Sequence, residues 1–363
     1  MLVNLENLKT ARENAGYTTL EAAKKICPST KGNRVAQWEA GELRPTWHQL
    51  KALGNAYQIN TFLLTSDEKI TRNRVIKDYR KHETGGELEL NARKFIHFLL
   101  QRQDYLAKVM KEAGMRKNTL VGMVKNSTYR DAPRIAQFIT DRINYRYDES
   151  VGNNHLKYFI SLLENQGIYV MKTLSYWKIS VKNMRGVYLK NDYAPIIALN
   201  RKDAKTAQLF TLAHELAHLF TNSEGVSNID FRCRSNDPTE IFCNAVAANL
   251  LLPEERIERR RHHIDELEEI AKRFQISKLF VFYRLKNLGL LGRQDLYSIE
   301  EKLKKMADDF SAKQGKDQGG NYINNMRDSN GYLFNNFISS LYFERKINAA
   351  ETTKILKLSI DKV

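Results

Sequence analysis

The chain of 363 residues carries 58 Lys+Arg against 42 Asp+Glu, a formal net charge of +16, with 42% hydrophobic and 28% charged residues and 6 Pro. At a loose ~150 residues per domain it divides into two or three domains with ample material for a core, and its composition excludes collagen-like, mucin-like and wholly disordered chains. The positive excess favours a polyanionic partner, although it is spread over both halves of the sequence rather than gathered in one tail.

No apolar run approaches the ~20 residues of a membrane helix, and the start, Met1-Leu2-Val3-Asn4-Leu5-Glu6, lacks the basic-then-apolar pattern of a secretory signal. Cys27, Cys233 and Cys243 are odd in number, far apart and form no C-x-x-C pair. The expectation is a cytoplasmic chain with no membrane partner.

Apolar residues at helical spacing predict short helices through Leu5, Leu8, Ala11 and Ala15, through Leu20, Ala23 and Ile26, at Val35 and Trp38, and through Leu50, Leu53 and Tyr57. Gly16, the run from Cys27 to Gly32, and Gly41 followed by Pro45 break them apart, so residues 1–64 read as a compact all-α module. Residues 65–153 are again helical and rich in Lys and Arg, a connector with joints at Thr84-Gly85-Gly86 and Asn126-Ser127. From residue 154 the texture changes. A helix through Phe159 and Leu163 precedes three apolar runs of strand length, at Gly167 to Met171, Arg185 to Leu189 and Ala194 to Leu199, with a turn at Asn191-Asp192. A long helical stretch begins near Asp203, and this third domain closes at residue 291. Residues 292–363 form a helical appendage after a flexible linker at residues 311–320. The expected fold is mostly α with a small antiparallel β-sheet, an α+β class.

One motif carries chemistry. In Phe210-Thr211-Leu212-Ala213-His214-Glu215-Leu216-Ala217-His218 an H-E-x-x-H sequence lies inside an apolar helical pattern. Positions i and i+4 share a helix face, so His214 and His218 can aim ring nitrogens at one point, ~2.0–2.1 Å from a Zn²⁺ ion. Glu215 stands next to the first His, placed to act as general base towards a water that the metal acidifies. A catalytic zinc needs a third protein ligand. Glu224, Asp230, Cys233, Glu240 and Cys243 follow in sequence. Glu240 leads because it opens a second helix whose small residues, Ala247 and Ala248, allow close packing on the first; Cys243, one turn on, is its rival. Such His/His/Glu sets also take Mn²⁺ or Fe²⁺.

This stretch, together with Glu240-x-x-Cys243-Asn244-x-x-Ala247-Ala248-x-Leu250-Leu251-Leu252-Pro253, resembles the ImmA/IrrE-type metallopeptidases. The resemblance covers roughly residues 154–291, including Ile196 to Asn200 ahead of the motif helix and Arg284-Leu285-x-x-Leu288-Gly289-Leu290 at its end. It implies a zincin-like domain in which His214, His218 and Glu240 hold zinc and Glu215 is the base. The chain has Asn222 and Ala207 where many relatives have His and Arg, departures that bear on substrate choice rather than on metal binding.

Arg12, Gly16, Ala23, Val35, Trp38-Glu39, Gly41 and Arg44-Pro45 resemble the Xre/Cro-type helix-turn-helix. That implies an N-terminal DNA-binding domain for double-stranded DNA, with Arg12 and Glu39 as a structural pair. Val35 and Trp38 would anchor the third helix and leave Asn33, Arg34 and Gln37 facing the major groove, while Lys31, Arg34 and Arg44 suit phosphates. Such modules also dimerise, so a homodimer is open. Taken together, the two resemblances imply a DNA-binding regulator with a site-specific zinc endopeptidase that cuts a repressor or other regulatory protein. The alternative is an antitoxin or repressor whose peptidase domain mainly binds a cognate toxin. Elsewhere, Tyr145-Arg146-Tyr147 reads as core or interface aromatics and His262-His263 as a solvated basic helix end.

Overall fold

A computed structural model describes residues 3–28, 32–57, 59–70, 89–125, 127–147, 154–223, 225–227, 237–292, 296–314 and 321–362. The chain divides into two compact units, residues 1–104 and 105–363.

In the first unit, helices α1 (Leu5–Asn14), α2 (Thr19–Ile26), α3 (Arg34–Glu39) and α4 (Trp47–Tyr57) and a 3-10 turn at Thr61–Leu64 close over Leu8, Val35, Leu53 and Leu64. The spacing of apolar residues predicts this arrangement. Polar caps set the helix starts: Asn4 Oδ1 accepts from Asn7 N on α1, and Thr18 and Glu21 make a reciprocal capping box on α2. The Arg12–Glu39 pair is present, with Arg12 Nε and Nη2 reaching the two carboxylate oxygens at 2.6 and 3.0 Å and Nη1 donating to Tyr17 O at 2.7 Å. Buried Asn7 ties down the following segment, its Nδ2 donating to Leu63 O and Glu68 O and its Oδ1 accepting from Ile70 N. Helix α5 (Leu90–Glu112) spans the boundary between the units.

Because Arg12 and Glu39 are both largely buried, removing Glu39 takes away the two-point partner of a buried guanidinium and leaves it the more distant Glu13 at 3.7 Å. Glu39→Ala is expected to lower stability by roughly 3 kcal/mol, read from urea unfolding of the full chain. A loss below about 1 kcal/mol, typical of exposed pairs, would show that the pair is solvated.

The second unit contains α6 (Ala132–Ile143), α7 (His155–Asn165), β1 (Tyr169–Lys172), β2 (Gly186–Leu189), β3 (Ile196–Leu199), α8 (Lys205–Thr221), β4 (Gly225–Ser227), α9 (Pro238–Leu251), α10 (Leu267–Phe274), α11 (Lys278–Asn287) and α12 (Leu296–Gln314). Three C-terminal helices follow: α13 (Tyr322–Asn330), α14 (Tyr332–Phe343) and α15 (Ala349–Leu356). The fold is mostly α with one small sheet, as expected, in the order β1-β3-β2-β4. Strand β2 runs antiparallel to β3 and β4, whereas β1 pairs with β3 in parallel, Tyr169 opposite Ile196. The sheet is therefore mixed, not antiparallel throughout. From β1 the chain skips one place to lay down β2 and returns to fill the gap with β3, which then points the way β1 does. Strands β2 and β3 are buried along their whole length, which explains their continuous apolar runs.

His262 corrects the solvated-end reading. It is 3% exposed, its Nε2 meets Glu258 O at 2.9 Å and its Nδ1 meets Glu266 Oε2 at 3.1 Å. Tyr145 is a core aromatic as expected, its hydroxyl 2.5 Å from His155 Nε2. The joints at Thr84-Gly85-Gly86 and Asn126 and most of the 311–320 linker lie outside the described residues, as does Lys31. Among the described residues no helix is long and apolar enough to cross a membrane.

The C-terminal helices pack on β1 through a carboxylate. Gly331, at φ +81°, approaches so closely that an added Cβ would overlap Val170 O and stand 2.7 Å from Glu164 Oε1. That oxygen accepts from Leu333 N at 3.2 Å, and Tyr332 N also bonds to the carboxylate, so α7 caps the N-terminus of α14. Burial pushes the Glu164 carboxyl up to about 7, against the lowering pull of those two N–H groups. A proton held more tightly in the fold favours the fold below about 4.5, and this contribution fades as pH rises through about 7. Glu164→Gln, which keeps an acceptor without the charge, is expected to gain about 3 kcal/mol relative to wild type between pH 4.5 and 8. Urea midpoints at the two pH values check this, and an equal offset at both would sink it.

Candidate metal centre

Helix α8 is a buried rod, with every residue from Gln208 to Phe220 buried. Its sequence has no polar face because β2 and β3 cover one side, α9 another and α7 a third. A buried helix must find partners for its last carbonyls. Here Gly122 N donates to Leu219 O at 2.9 Å and Val124 N to Phe220 O at 2.8 Å, and Ser223 N returns to His218 O. Asn222 ends the helix in the left-handed conformation, φ +61°, which Asn tolerates better than most residues. The departure noted at this position thus has a backbone role.

Helix α9 crosses α8 with Asp237 as its N-cap and Pro238 at its first position, and this places Glu240 in the first turn. The three expected ligands converge. His214 Nε2 and His218 Nε2 are 2.9 Å apart, Glu240 Oε2 is 3.0 Å from the first, and Glu240 Oε1 is 3.2 Å from the second. The ligand atoms of His214, His218 and Glu240 form a group within 4.8 Å of one another. These separations approach the ~3.3 Å edge of a ligand tetrahedron drawn at zinc distances. The donor set is the nitrogen and oxygen mixture that zinc accepts, so the residues fit such an ion.

Cys243, the rival, is buried beside His218 outside that group. Burial holds its thiol above its ordinary value, against the lowering pull of His218. Glu224, Asp230 and Cys233 lie outside the described residues. Burial holds His214 below its ordinary value. Burial also opposes charge on His218, but its neighbours Cys243 and Glu240 outweigh this and raise it. Glu240 is itself held far below the usual range: burial acts against ionisation, and its bonds to both histidines prevail.

The surroundings include residues the motif does not name. His218 Nδ1 lies 2.8 Å from Ser223 Oγ, which also meets Thr221 Oγ1 at 2.8 Å. That contact turns Nε2 towards Glu240, as orienting partners do in metal sites. Asn244 lies against His214 and favours its charged form. Glu215 is fully buried, facing Gly186 on β2, where an added Cβ would overlap Thr211 Cγ2 and stand 3.1 Å from Glu215 Oε1. A lone Gly opening an apolar strand signals such an approach, whereas nothing in the sequence marks Ser223. Further out, Arg284 fixes the end of α9 by donating to Leu252 O and Asn249 Oδ1 at 2.9 and 2.7 Å. A cavity of about 710 Å³ opens between Tyr129, Ser223, Thr239 and Ile241.

The residues expected at DNA fall differently. Asn33 caps α3, its Oδ1 accepting from Ala36 N at 3.1 Å while Nδ2 donates to Thr19 Oγ1 at 2.7 Å. Arg34 and Gln37 are half-buried on the same helix and Arg44 is exposed in the turn after it.

Gly186→Ala is expected to push β2 off α8, costing roughly 1–3 kcal/mol as overpacked cores do and reducing co-purifying metal. Thermal unfolding and elemental analysis read both effects, and a variant with wild-type metal content and melting point would refute the contact.

Comparison with curated proteins gave no match. A family model does match: residues 163–286, about a third of the chain, fit that of the IrrE N-terminal-like domain, Peptidase_M78. The matched stretch runs from the end of α7 into α11, contains His214, His218 and Glu240, and points to a metallopeptidase.

Proposed function

We propose that this chain is a metal-dependent, site-specific endopeptidase acting on a regulatory protein such as a repressor, joined to an Xre-like DNA-binding module. The observation that carries the reading is the convergence of His214, His218 and Glu240 beside a fully buried Glu215. Bound there, zinc would serve as a Lewis acid on the scissile carbonyl and make water easier to deprotonate. Glu215 accepts that proton and delivers it to the leaving amine. Its burial keeps competing water away and strengthens its field at the reacting centre.

Strand β4 supports the same reading for the substrate. It is the sheet edge that directly follows the motif helix, antiparallel to β2 through Val187 and Val226, and an extended peptide can add to such an edge by main-chain hydrogen bonds. The opposite edge strand, β1, packs against α13. For DNA, the support is the helix pair α2 and α3 with Arg34 and Gln37 on α3 and Arg44 after it. Asn33, occupied as a cap, is the weaker candidate of that set. The cytoplasm, where such substrates and operators are found, is the proposed location.

The test expresses wild type and Glu215→Gln, measures bound metal, and incubates each with the protein encoded by the neighbouring reading frame. Metal is expected in both, discrete cleavage in wild type, and a rate lower by about 10²–10⁴ in the variant, the range of a general base. His214→Ala is expected to lose the metal as well. A tight complex that neither protein cleaves would replace this reading with the antitoxin one.

A further inference from the structure

A second cavity of this unit lies away from the metal centre. It encloses about 1040 Å³ between α7, β1, the approach to α8 and the C-terminal helices, a volume at the upper end of small-molecule sites. Its wall is basic: Lys157, Arg201, Lys205, Arg327 and Lys362 face it from four separate segments. Acidic neighbours are largely spent. Asp203 is paired with Arg185 at 2.6 Å and Asp328 with Lys172 at 2.8 Å, while Glu164 is bonded to the backbone of α14. The floor is apolar, with Ile160, Val170 and Leu358, and Tyr332 stands at its rim 73% exposed.

A cavity with cations converging from several segments, an apolar floor and an aromatic ring at the mouth is suited to a phosphate joined to a flat, weakly polar body. We infer that this seam is a nucleotide-binding site, in which Lys157, Arg201 and Lys205 take the phosphates and Tyr332 stacks on the base. Inorganic phosphate would leave most of the volume and the apolar floor unused, and an uncharged nucleoside would leave the cations without a counter-ion. Arg201 also donates to Asn325 Oδ1 of α13 at 2.5 Å, and Lys205 is the first residue of the motif helix. A bound nucleotide therefore touches both the C-terminal helices and the element that carries His214 and His218. The inference does not rest on peptidase activity.

Calorimetric titration of the full chain with ADP, pyrophosphate and adenosine tests it. Expected is saturable ADP binding at one per chain, with pyrophosphate and adenosine each weaker by about tenfold or more. The double variant Lys157→Glu, Lys205→Glu changes two exposed side chains; it is expected to keep the wild-type melting point without ADP and to weaken ADP binding by at least about tenfold. Arg201→Lys, which keeps the charge but loses the fork, is expected to fall between the two. Absence of ADP binding up to about 1 mM overturns the inference. So does ADP binding that the double variant leaves unchanged, because that places the nucleotide elsewhere on a basic surface.

Discussion

Two histidines and two glutamates buried among Leu, Ala and Phe impose the constraint around which the second unit is organised. Each would be costly to desolvate separately. Together they are tolerable only because a carboxylate on one helix meets two imidazoles on another at 3.0 and 3.2 Å, a spacing that small residues on α9 permit. The flanking elements serve this contact. Gly186 lets β2 press on Glu215, Ser223 turns His218, and Arg284 anchors the far end of α9. A core of this kind tolerates no looseness, since a shift of an ångström leaves charges unpaired in a dry interior.

What could be read from residues depended on period and on paired motifs. The helices of the first unit, the motif helix and the helix opening near Glu240 all carry their own spacing or capping signals, and the three strands announced themselves as apolar runs. The parallel pairing of β1 with β3 did not, because strand order depends on which gap a returning chain fills, and local sequence is silent about that. Strand β4, three residues with no apolar run, was invisible for the same reason. His262 misled: a run of Arg and His looks solvated, yet the ring is enclosed by Glu266 and the Glu258 carbonyl.

At the candidate metal centre the sequence named the three converging side chains and missed their supports. H-E-x-x-H and the later Glu are fixed in sequence by helix geometry, whereas Ser223 reaches His218 only because Asn222 turns the chain back in the left-handed conformation. Asn33 shows the converse. A residue typed as a base reader is consumed by capping and by Thr19, since an amide that can read adenine can equally satisfy a helix end. Nor does local sequence reveal how the C-terminal helices are held: a carboxylate on α7 caps one of them, and they pack against β1.

The backbone bonds from Gly122 and Val124 to the end of α8 carry a consequence for how far the protein can be trimmed. The carbonyls of Leu219 and Phe220 are inside the unit, out of reach of bulk water, and their donors come from about forty residues before the stretch that matches the family model. A fragment cut at the limits of that match would leave the helix bearing both histidines with an unsealed end in an apolar setting. The smallest excisable piece able to carry the site must therefore begin upstream of residue 120, so the body that holds the three side chains is longer than the family match, and the segment carrying Gly122 and Val124 is a plug rather than a tether.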